Sequence, residues 1–271
     1  MSGIRDGSRA SSVLGLKPDT GSVRIQPSAP ASFEIHVVPD AESLALAGAD
    51  EFARAAGEAA QKDRLFCVAV AGGSTPLGVY RRLTQPPHRG AIRWKRVRFF
   101  WGDERCVPPE HPRSNFRAAR GSLLRPLGIP PRHVFRMKGE ENPARAALAY
   151  EAMLRRHVPG RPPRLDLVLL GLGTEGHTAS LFPDTEALSE QRRLVAANFV
   201  PPQNEWRLTL TYRALNAARR VVFLVSGAEK ASVAAKILKK QRGWRSLPAS
   251  RVAPRRGTVL WLLDEEAALK L

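Results

Sequence analysis

Cysteine is scarce in this 271-residue chain, and long hydrophobic runs are missing from it. The two cysteines, Cys67 and Cys106, have no paired spacing that would hold a metal ion or a disulfide framework, which favours a reducing compartment. No apolar run approaches the roughly 20 residues that cross a bilayer, so the sequence predicts no membrane-spanning helix. The chain is long enough to bury a sizeable core, and we expect one domain rather than two.

Acidic residues are also few, with 25 aspartates and glutamates against 43 lysines and arginines, a formal net charge of +18. Such a balance raises the possibility of an acidic partner, whether phosphate, nucleic acid or a membrane surface. Trp244 is the only aromatic residue in the densest acid-free stretch, so a solvated surface is favoured there and no nucleic-acid partner is expected. The cations of this stretch are Lys236, Lys239, Lys240, Arg242, Arg245, Arg251, Arg255 and Arg256.

Residues 1–32 are rich in serine, glycine, proline and alanine and show no periodic apolar face. This composition predicts a disordered leader. A transit peptide is the minor alternative, against which Asp6 and Asp19 weigh because such peptides are poor in acid. Residues 33–271 are then predicted to form a single α/β domain.

From residue 33 onward, apolar runs of strand length alternate with segments of helical spacing. This alternation predicts a doubly wound, mainly parallel sheet with helices on both faces, a Rossmann-like α/β fold. We expect a polar loop over 102–113 and helix caps at Asp40 and Ser114. The predicted strands span 33–38, 65–71, 97–101, 165–170, 208–212, 221–225 and 259–263. The predicted helices span 40–62, 114–125, 142–156 and 228–240, with others beginning at Pro76 and Asp264.

The turn Gly72-Gly73-Ser74-Thr75 joins a predicted buried strand to a helix that begins at Pro76. Backbone amides, two hydroxyls and a helix N-terminus converge there, which suits an anion such as phosphate. A tight glycine turn with a Ser or Thr cap explains the same residues without a ligand. Pro76 occupies the place of the final glycine of a nucleophile elbow, so Ser74 is not expected to be the nucleophile of a serine hydrolase.

Charged residues follow the third strand in Trp101-Gly102-Asp103-Glu104-Arg105. Charges directly after a buried strand usually face a cleft, where Asp103 would orient a histidine or a sugar hydroxyl and Arg105 would hold negative charge. A surface ion-pair cluster is the alternative. Asn115, which follows the predicted cap Ser114, is a secondary candidate.

His177 follows the apolar run 167–170 in a loop bounded by glycines, beside Glu175. Ligands bind beyond the carboxyl ends of strands in open α/β sheets, and an imidazole with an ordinary pKa of about 6.5 suits a general base. The glycines of this loop match a dinucleotide fingerprint, but Pro183 interrupts the required helix and no carboxylate follows at the next strand end. Arg207 and Lys230 would supply cations at the same sheet edge, although either alone is more often a surface charge.

Taken together, these motifs resemble the 6-phosphogluconolactonase family from about residue 33 to the C-terminus. Later segments add support, among them Arg207-Leu208-Thr209 and Gly227-Ala228-Glu229-Lys230. The resemblance implies a cytoplasmic pentose-phosphate-pathway hydrolase of the fold shared with glucosamine-6-phosphate deaminase. It implies that this hydrolase acts without cofactor or metal on a phosphosugar lactone. We expect a monomer or a homodimer, and the sequence does not decide between them. The segments that carry the resemblance most strongly are Ala71-Gly72-Gly73-Ser74-Thr75-Pro76, Trp101-Gly102-Asp103-Glu104-Arg105 with Ser114-Asn115, and Gly171-Leu172-Gly173-Thr174-Glu175-Gly176-His177-Thr178-Ala179-Ser180-Leu181-Phe182-Pro183.

Carried onto this sequence, the resemblance makes His177 the base that activates water for attack on the lactone carbonyl. Asp103 would orient the base or the substrate, and Arg105 would counter charge near the developing oxyanion. Glu175 stands where the family commonly has aspartate, so the carboxylate reaches one methylene further. The phosphate and the rest of the substrate would be held by Gly72, Gly73, Ser74, Thr75, Asn115, Arg207 and Lys230, with the division of labour between Arg105 and Arg207 open.

Two other functions deserve comparison. The deaminase carries a glutamate five residues after the corresponding histidine for ring opening, whereas this chain has Phe182, which cannot transfer protons. A non-catalytic sugar-phosphate-sensing regulator would keep the phosphate turn but would need a DNA-binding module. Residues 1–32 contain no two-helix pattern of that kind.

Overall fold

Strands and helices alternate along most of the chain, as the sequence predicts. The computed structural model describes residues 23–25 and 33–271. Its strands are β1 (Val23–Ile25), β2 (Phe33–Val38), β3 (Phe66–Val70), β4 (Val97–Trp101), β5 (Asp103–Arg105), β6 (Leu167–Leu170), β7 (Val195–Val200), β8 (Glu205–Leu210), β9 (Arg220–Val225) and β10 (Thr258–Asp264). Its α-helices are α1 (Ala41–Gln61), α2 (Ser74–Leu83), α3 (His88–Ala91), α4 (Asn115–Ala119), α5 (Pro143–His157), α6 (Tyr212–Leu215), α7 (Ala231–Leu238) and α8 (Glu265–Ala268).

The main sheet has the strand order β1-β2-β10-β9-β6-β3-β4 within the described residues. β1 pairs antiparallel with β2, and the other pairs are parallel. β3 and β6 are neighbours, yet the strands that follow them lie on opposite sides: β4 beyond β3, and β9 and β10 beyond β6. This arrangement is the topological switch point of a doubly wound α/β fold, where a crevice opens at the carboxyl ends of the two strands.

The central strands are covered on both faces, which explains their continuous apolar sequences. Every residue of β3 and of β6 is buried. The largest fully buried side chains include Phe52, Tyr80 and Trp101. Buried parallel strands do not need alternating polar residues, so short apolar runs bounded by turns predicted both strands correctly.

A second, antiparallel sheet of three strands lies beyond the main one among the described residues, in the order β5-β8-β7. The sequence predicted only part of it. The polar loop expected over 102–113 contains β5, the strand expected from residue 208 begins at Glu205, and β7 was not predicted. β5 is a three-residue polar strand that exists because it pairs with β8, and local sequence does not reveal such a partner.

The helix caps are largely those predicted. The Asp40 carboxylate accepts a hydrogen bond from the Ser43 N–H at 2.7 Å, and Ser114 and Asp264 cap α4 and α8. The helix expected to begin at Pro76 instead begins at Ser74, which makes proline its third residue. That position is still tolerated because the first four N–H groups of a helix have no intrahelical partner.

Two other predicted helices are divided in the structure. The one expected over 114–125 is α4 followed by a π-helical turn, Arg120–Leu124. The one expected over 228–240 is the 3-10 turn Ala228–Lys230 followed by α7.

The predicted leader, residues 1–32, lies outside the described residues apart from the three that form β1. In the described part of the chain, no helix has the length and apolarity that crossing a membrane requires.

Candidate active site

A cavity of about 240 Å³ opens at the carboxyl ends of β3 and β6, at the switch point of the main sheet. Its wall brings together segments that are far apart in the chain, from the turn after β3 to the loop after β9. Glu175 is the one predicted site residue that does not line it. The predicted residues that do are Gly72, Gly73, Ser74, Thr75, Asp103, Arg105, Asn115, His177, Arg207 and Lys230.

The turn after β3 can be built only with glycine at its first two positions. Gly73 has a φ of +97°, a conformation that other residues rarely adopt. A Cβ on Gly72 would lie 1.9 Å from Oδ1 of Asn115. Within the described residues no side-chain hydrogen bond engages the hydroxyls of Ser74 and Thr75, the first residues of α2. The turn therefore offers free hydroxyl and N–H donors at a helix N-terminus, which suits an anion.

Two guanidinium groups line the cavity from the second sheet. Arg105 on β5 lies directly opposite Arg207 on β8 in the antiparallel register. Arg207 is buried, donates to Oε1 of Gln203 at 2.8 Å and pairs with Glu205. Burial, and then repulsion from Arg105, lower the pKa of Arg207. Arg105 donates to the Arg113 carbonyl and has no carboxylate partner among the described residues, so the pair leaves positive charge for an anionic ligand.

Lys230 adds a third cation from the loop after β9. The Asp264 carboxylate fixes this loop, because it accepts hydrogen bonds from the Ser226 hydroxyl and from the Gly227 N–H at 3.1 Å. Gly227 has a φ of +99°, which turns the chain towards the cavity. Lys230 forms no ion pair with any other described residue, so its ammonium group is available to a ligand.

His177 is held from two sides. Its Nδ1 is buried and lies 3.0 Å from Oε1 of Glu175, and its ring stacks on that of Phe182 with the centroids 4.0 Å apart. The interaction with the imidazole lowers the pKa of the Glu175 carboxyl to about 2. The His177 side chain keeps 26% of its surface exposed. Since Nδ1 faces the carboxylate, Nε2 is the nitrogen left for a water molecule.

The glycines before His177 have steric roles. A Cβ on Gly173 would lie 1.9 Å from Nδ1 of His177, and Gly176 has a φ of +85°. The Gly173 N–H also donates to the His177 carbonyl at 2.9 Å, which closes the loop around the imidazole. No α-helix begins within these glycines, although a dinucleotide fingerprint requires one there.

Asp103 is fixed by two side chains of the cavity region. Ser180 Oγ donates to its Oδ2 at 2.7 Å, and Asn115 Nδ2 lies 3.2 Å from its Oδ1. The carboxylate in contact with His177 is Glu175, so Asp103 does not orient the imidazole in this structure. Asp103 therefore lines the cavity without contacting the imidazole.

Glu104 has a structural role, although it is the neighbour of Asp103 on β5. Its buried carboxylate accepts hydrogen bonds from the N–H groups of Arg105, Asn115 and Phe116 and from the Ser114 hydroxyl. Burial raises the pKa of this carboxyl. The carboxylate joins the start of α4 to β5, so it positions Asn115 and does not form a surface ion-pair cluster.

Several residues around the cavity were not predicted to have a role. Ser180 and Phe182 belong to the segment quoted for its resemblance, but only their contacts reveal that they hold Asp103 and His177.

In the described part of the chain no cluster of three or more His, Cys, Asp or Glu side chains is arranged to hold a metal ion. None of the eight cations of the basic stretch lines the cavity.

Comparison with known proteins agrees with this geometry. Residues 39–261 match the family model described as glucosamine-6-phosphate isomerases/6-phosphogluconolactonase. The chain belongs to this family. A 6-phosphogluconolactonase of Nostoc sp. is 36% identical over 241 residues, which cover 88% of this chain and 98% of the relative.

Solved structures show the same relationship. The 6-phosphogluconolactonase of Trypanosoma brucei superposes with a TM-score of 0.78 at 32% identity, covering 89% of this chain and 99% of that one. A monomeric glucosamine-6-phosphate deaminase superposes with a TM-score of 0.74 at 22% identity, covering 88% of this chain and 99% of that one. The second likeness concerns the fold alone.

Proposed function

We propose that this chain hydrolyses 6-phospho-D-glucono-1,5-lactone to 6-phospho-D-gluconate, a step of the oxidative pentose phosphate pathway. The observation that carries the proposal is that His177 and the turn Gly72-Gly73-Ser74-Thr75 line one cavity. A shared wall at the switch point of the sheet supports the assignment of the imidazole as base and of the turn as anion site. Family membership and the names of the relatives at 36% and 32% identity support the same reaction.

In this proposal His177 is the general base. Nε2 takes a proton from a water molecule whose oxygen attacks the lactone carbonyl carbon, and the Glu175 carboxylate stabilises the resulting imidazolium through Nδ1. The C–O bond of the ring then breaks as the tetrahedral intermediate collapses. The imidazolium returns its proton to the departing ring oxygen, so one water is consumed and a hydroxy acid is formed.

The remaining residues would bind substrate and stabilise charge. Arg105, which has no carboxylate partner within the described residues, would stabilise the developing oxyanion. Arg207 and Lys230, with the turn at 72–75, would hold the phosphate. Asp103 would accept hydrogen bonds from the sugar hydroxyls, and Asn115 would exchange hydrogen bonds with them. Ser180 and Asn115 fix the orientation of the Asp103 carboxylate.

The two alternative functions are less well supported. A deaminase needs a titratable group five residues after the histidine, and that position is occupied by Phe182, whose ring stacks on His177. A regulator without turnover would not need a carboxylate on Nδ1 of a partly exposed histidine. We also propose a cytoplasmic location, by analogy with pathway enzymes, and a monomer or homodimer that requires no nucleic acid.

A direct assay tests the reaction. Freshly prepared 6-phosphogluconolactone is supplied to the purified chain, and its loss is followed against the spontaneous rate and against the His177→Asn variant. We expect rapid loss with the wild-type chain only. Loss at the spontaneous rate, or release of ammonia from glucosamine 6-phosphate, would contradict the proposal.

A further inference from the structure

Two buried tyrosines make the same unusual contact at neighbouring strand ends. The Tyr80 hydroxyl donates to the Ala71 carbonyl at 2.6 Å and accepts from the Ala71 N–H at 2.9 Å. The Tyr150 hydroxyl donates to the Trp101 carbonyl at 3.1 Å and accepts from the Trp101 N–H at 2.7 Å. Each hydroxyl thus satisfies both backbone polar groups of one residue. We call these contacts the tyrosine bridges.

The bridged residues lie where the ladder of the main sheet ends. Val70 is the last residue of β3, so Ala71 lies just beyond it, and Trp101 ends β4, the edge strand of the sheet. Both residues are buried, and buried backbone groups need hydrogen-bond partners. A neutral phenol can donate and accept at once. Burial raises the pKa of both tyrosines, which keeps them in that form.

Each bridge immediately precedes a segment of the active site. Ala71 leads into the turn at 72–75, and Tyr80 lies on α2, the helix that this turn begins. The bridge therefore ties the backbone just before the turn to the helix that follows it. Trp101 leads through Gly102 to Asp103 and Arg105 on β5.

The residue that follows the second bridge, Gly102, joins the two sheets. Gly102 donates to the Val70 carbonyl at 2.9 Å and accepts from the Leu210 N–H at 2.8 Å, so it links β3 to β8. Tyr150 lies on α5, which packs against β7 and β8. A shift of the Trp101 backbone would consequently move Asp103 and Arg105 relative to the phosphate turn.

We propose that Tyr80 and Tyr150 are positioning residues, Tyr80 for the phosphate turn and Tyr150 for Asp103 and Arg105. This inference rests on the proposed lactonase function. The two tyrosines should then have different kinetic effects. Tyr80 acts through the groups that bind phosphate, whereas Tyr150 acts through the groups beside the reacting carbonyl.

The test compares Tyr80→Phe with Tyr150→Phe, because each change removes only a hydroxyl. We expect Tyr80→Phe to raise KM for 6-phosphogluconolactone by roughly tenfold with little change in kcat. Binding of 6-phosphogluconate, measured by calorimetry, should weaken by roughly the same factor. We expect Tyr150→Phe to lower kcat by roughly tenfold while product affinity stays within about twofold. Folded variants with wild-type parameters, or with the same changes in both, would overturn the inference.

A stability control separates positioning from general loosening of the fold. Phe52 packs against Phe66 and Phe99 in the core and does not line the cavity. Phe52→Leu is therefore expected to lower the unfolding midpoint without changing KM or kcat. An equal KM change in this control would contradict a specific role for Tyr80.

Amide hydrogen exchange of the wild-type chain provides a test that does not depend on the variants folding or on the reaction. The bridges predict that the Ala71 and Trp101 amides exchange as slowly as those within β3. Exchange at the rate of exposed loops would refute the bridges. A wild-type chain that leaves the lactone intact would instead refute the proposed function, and slow exchange would still be expected.

Discussion

Arg105 and Arg207 lie directly opposite each other on the antiparallel strands β5 and β8, and both line the cavity. Two like charges in such a pair repel each other. They are tolerated because the Arg113 carbonyl accepts a hydrogen bond from Arg105 and Gln203 accepts one from Arg207. Glu205 balances the charge of Arg207. A phosphorylated substrate would relieve the remaining repulsion. This is why we propose that the pair faces the negative charge of the substrate.

This arrangement predicts different effects for the two arginines. We expect Arg207→Gln to raise KM for the lactone on the order of tenfold or more, because a charge-assisted contact to phosphate is lost. Arg105→Gln should mainly lower kcat, since its charge would act on the oxyanion. Steady-state kinetics at low and high salt measure both. A KM that is unchanged in Arg207→Gln would remove this residue from the phosphate site.

His177→Asn tests the base. The amide keeps a polar side chain of similar size but cannot accept the proton of water, so we expect kcat to fall on the order of 100-fold or more. Binding of 6-phosphogluconate, measured by calorimetry, should change little because the phosphate turn is intact. Near-normal turnover in this variant would mean that another group activates the water.

The Glu175 carboxylate predicts a pH-dependent contribution to stability. Contact with His177 lowers its pKa from the ordinary value of 4.5 to about 2, so the folded chain favours the ionised form. The stabilisation is therefore complete above the ordinary pKa and is lost as the pH falls towards about 2. Urea unfolding should show a larger loss between pH 5 and pH 2.5 for the wild-type chain than for Glu175→Gln. Parallel losses would contradict this interaction.

Much of the fold could be predicted from the sequence because the central strands are buried on both faces. The apolar runs that became β3 and β6, and the caps at Asp40 and Ser114, are local signals with direct physical causes. The second sheet could not be predicted in the same way. β7 alternates buried and partly exposed residues only weakly, and β5 depends on a partner about 100 positions away.

The candidate site shows the same division. The glycine turn and His177 are recognisable because unusual residues follow buried strands, and parallel strands bring their carboxyl ends to one edge. Tyr80 and Tyr150 gave no such signal, since an aromatic residue in an amphipathic helix is expected in the core in any case. Their hydroxyl contacts with Ala71 and Trp101 depend on the tertiary arrangement of helix and strand.

Gly173→Ala tests how closely the backbone packs around the base. The new methyl group would lie 1.9 Å from Nδ1 of His177 and 2.7 Å from Oε2 of Glu175, so the imidazole must move. We expect kcat to fall on the order of 100-fold, because a displacement of about 1 Å is enough to misalign a catalytic group. Kinetics together with product calorimetry would show a loss of turnover with retained affinity.

Gly57→Ala supplies the matched control, since the same methyl group is added where nothing lies within 4 Å. Gly57 is exposed within α1, and alanine is a better helix former there, so the free energy of unfolding should rise by about 0.5–1 kcal/mol. Turnover should be unchanged. If both variants kept wild-type kcat, the close approach of Gly173 to the imidazole would have no bearing on catalysis, and the loop would tolerate a side chain that its geometry forbids.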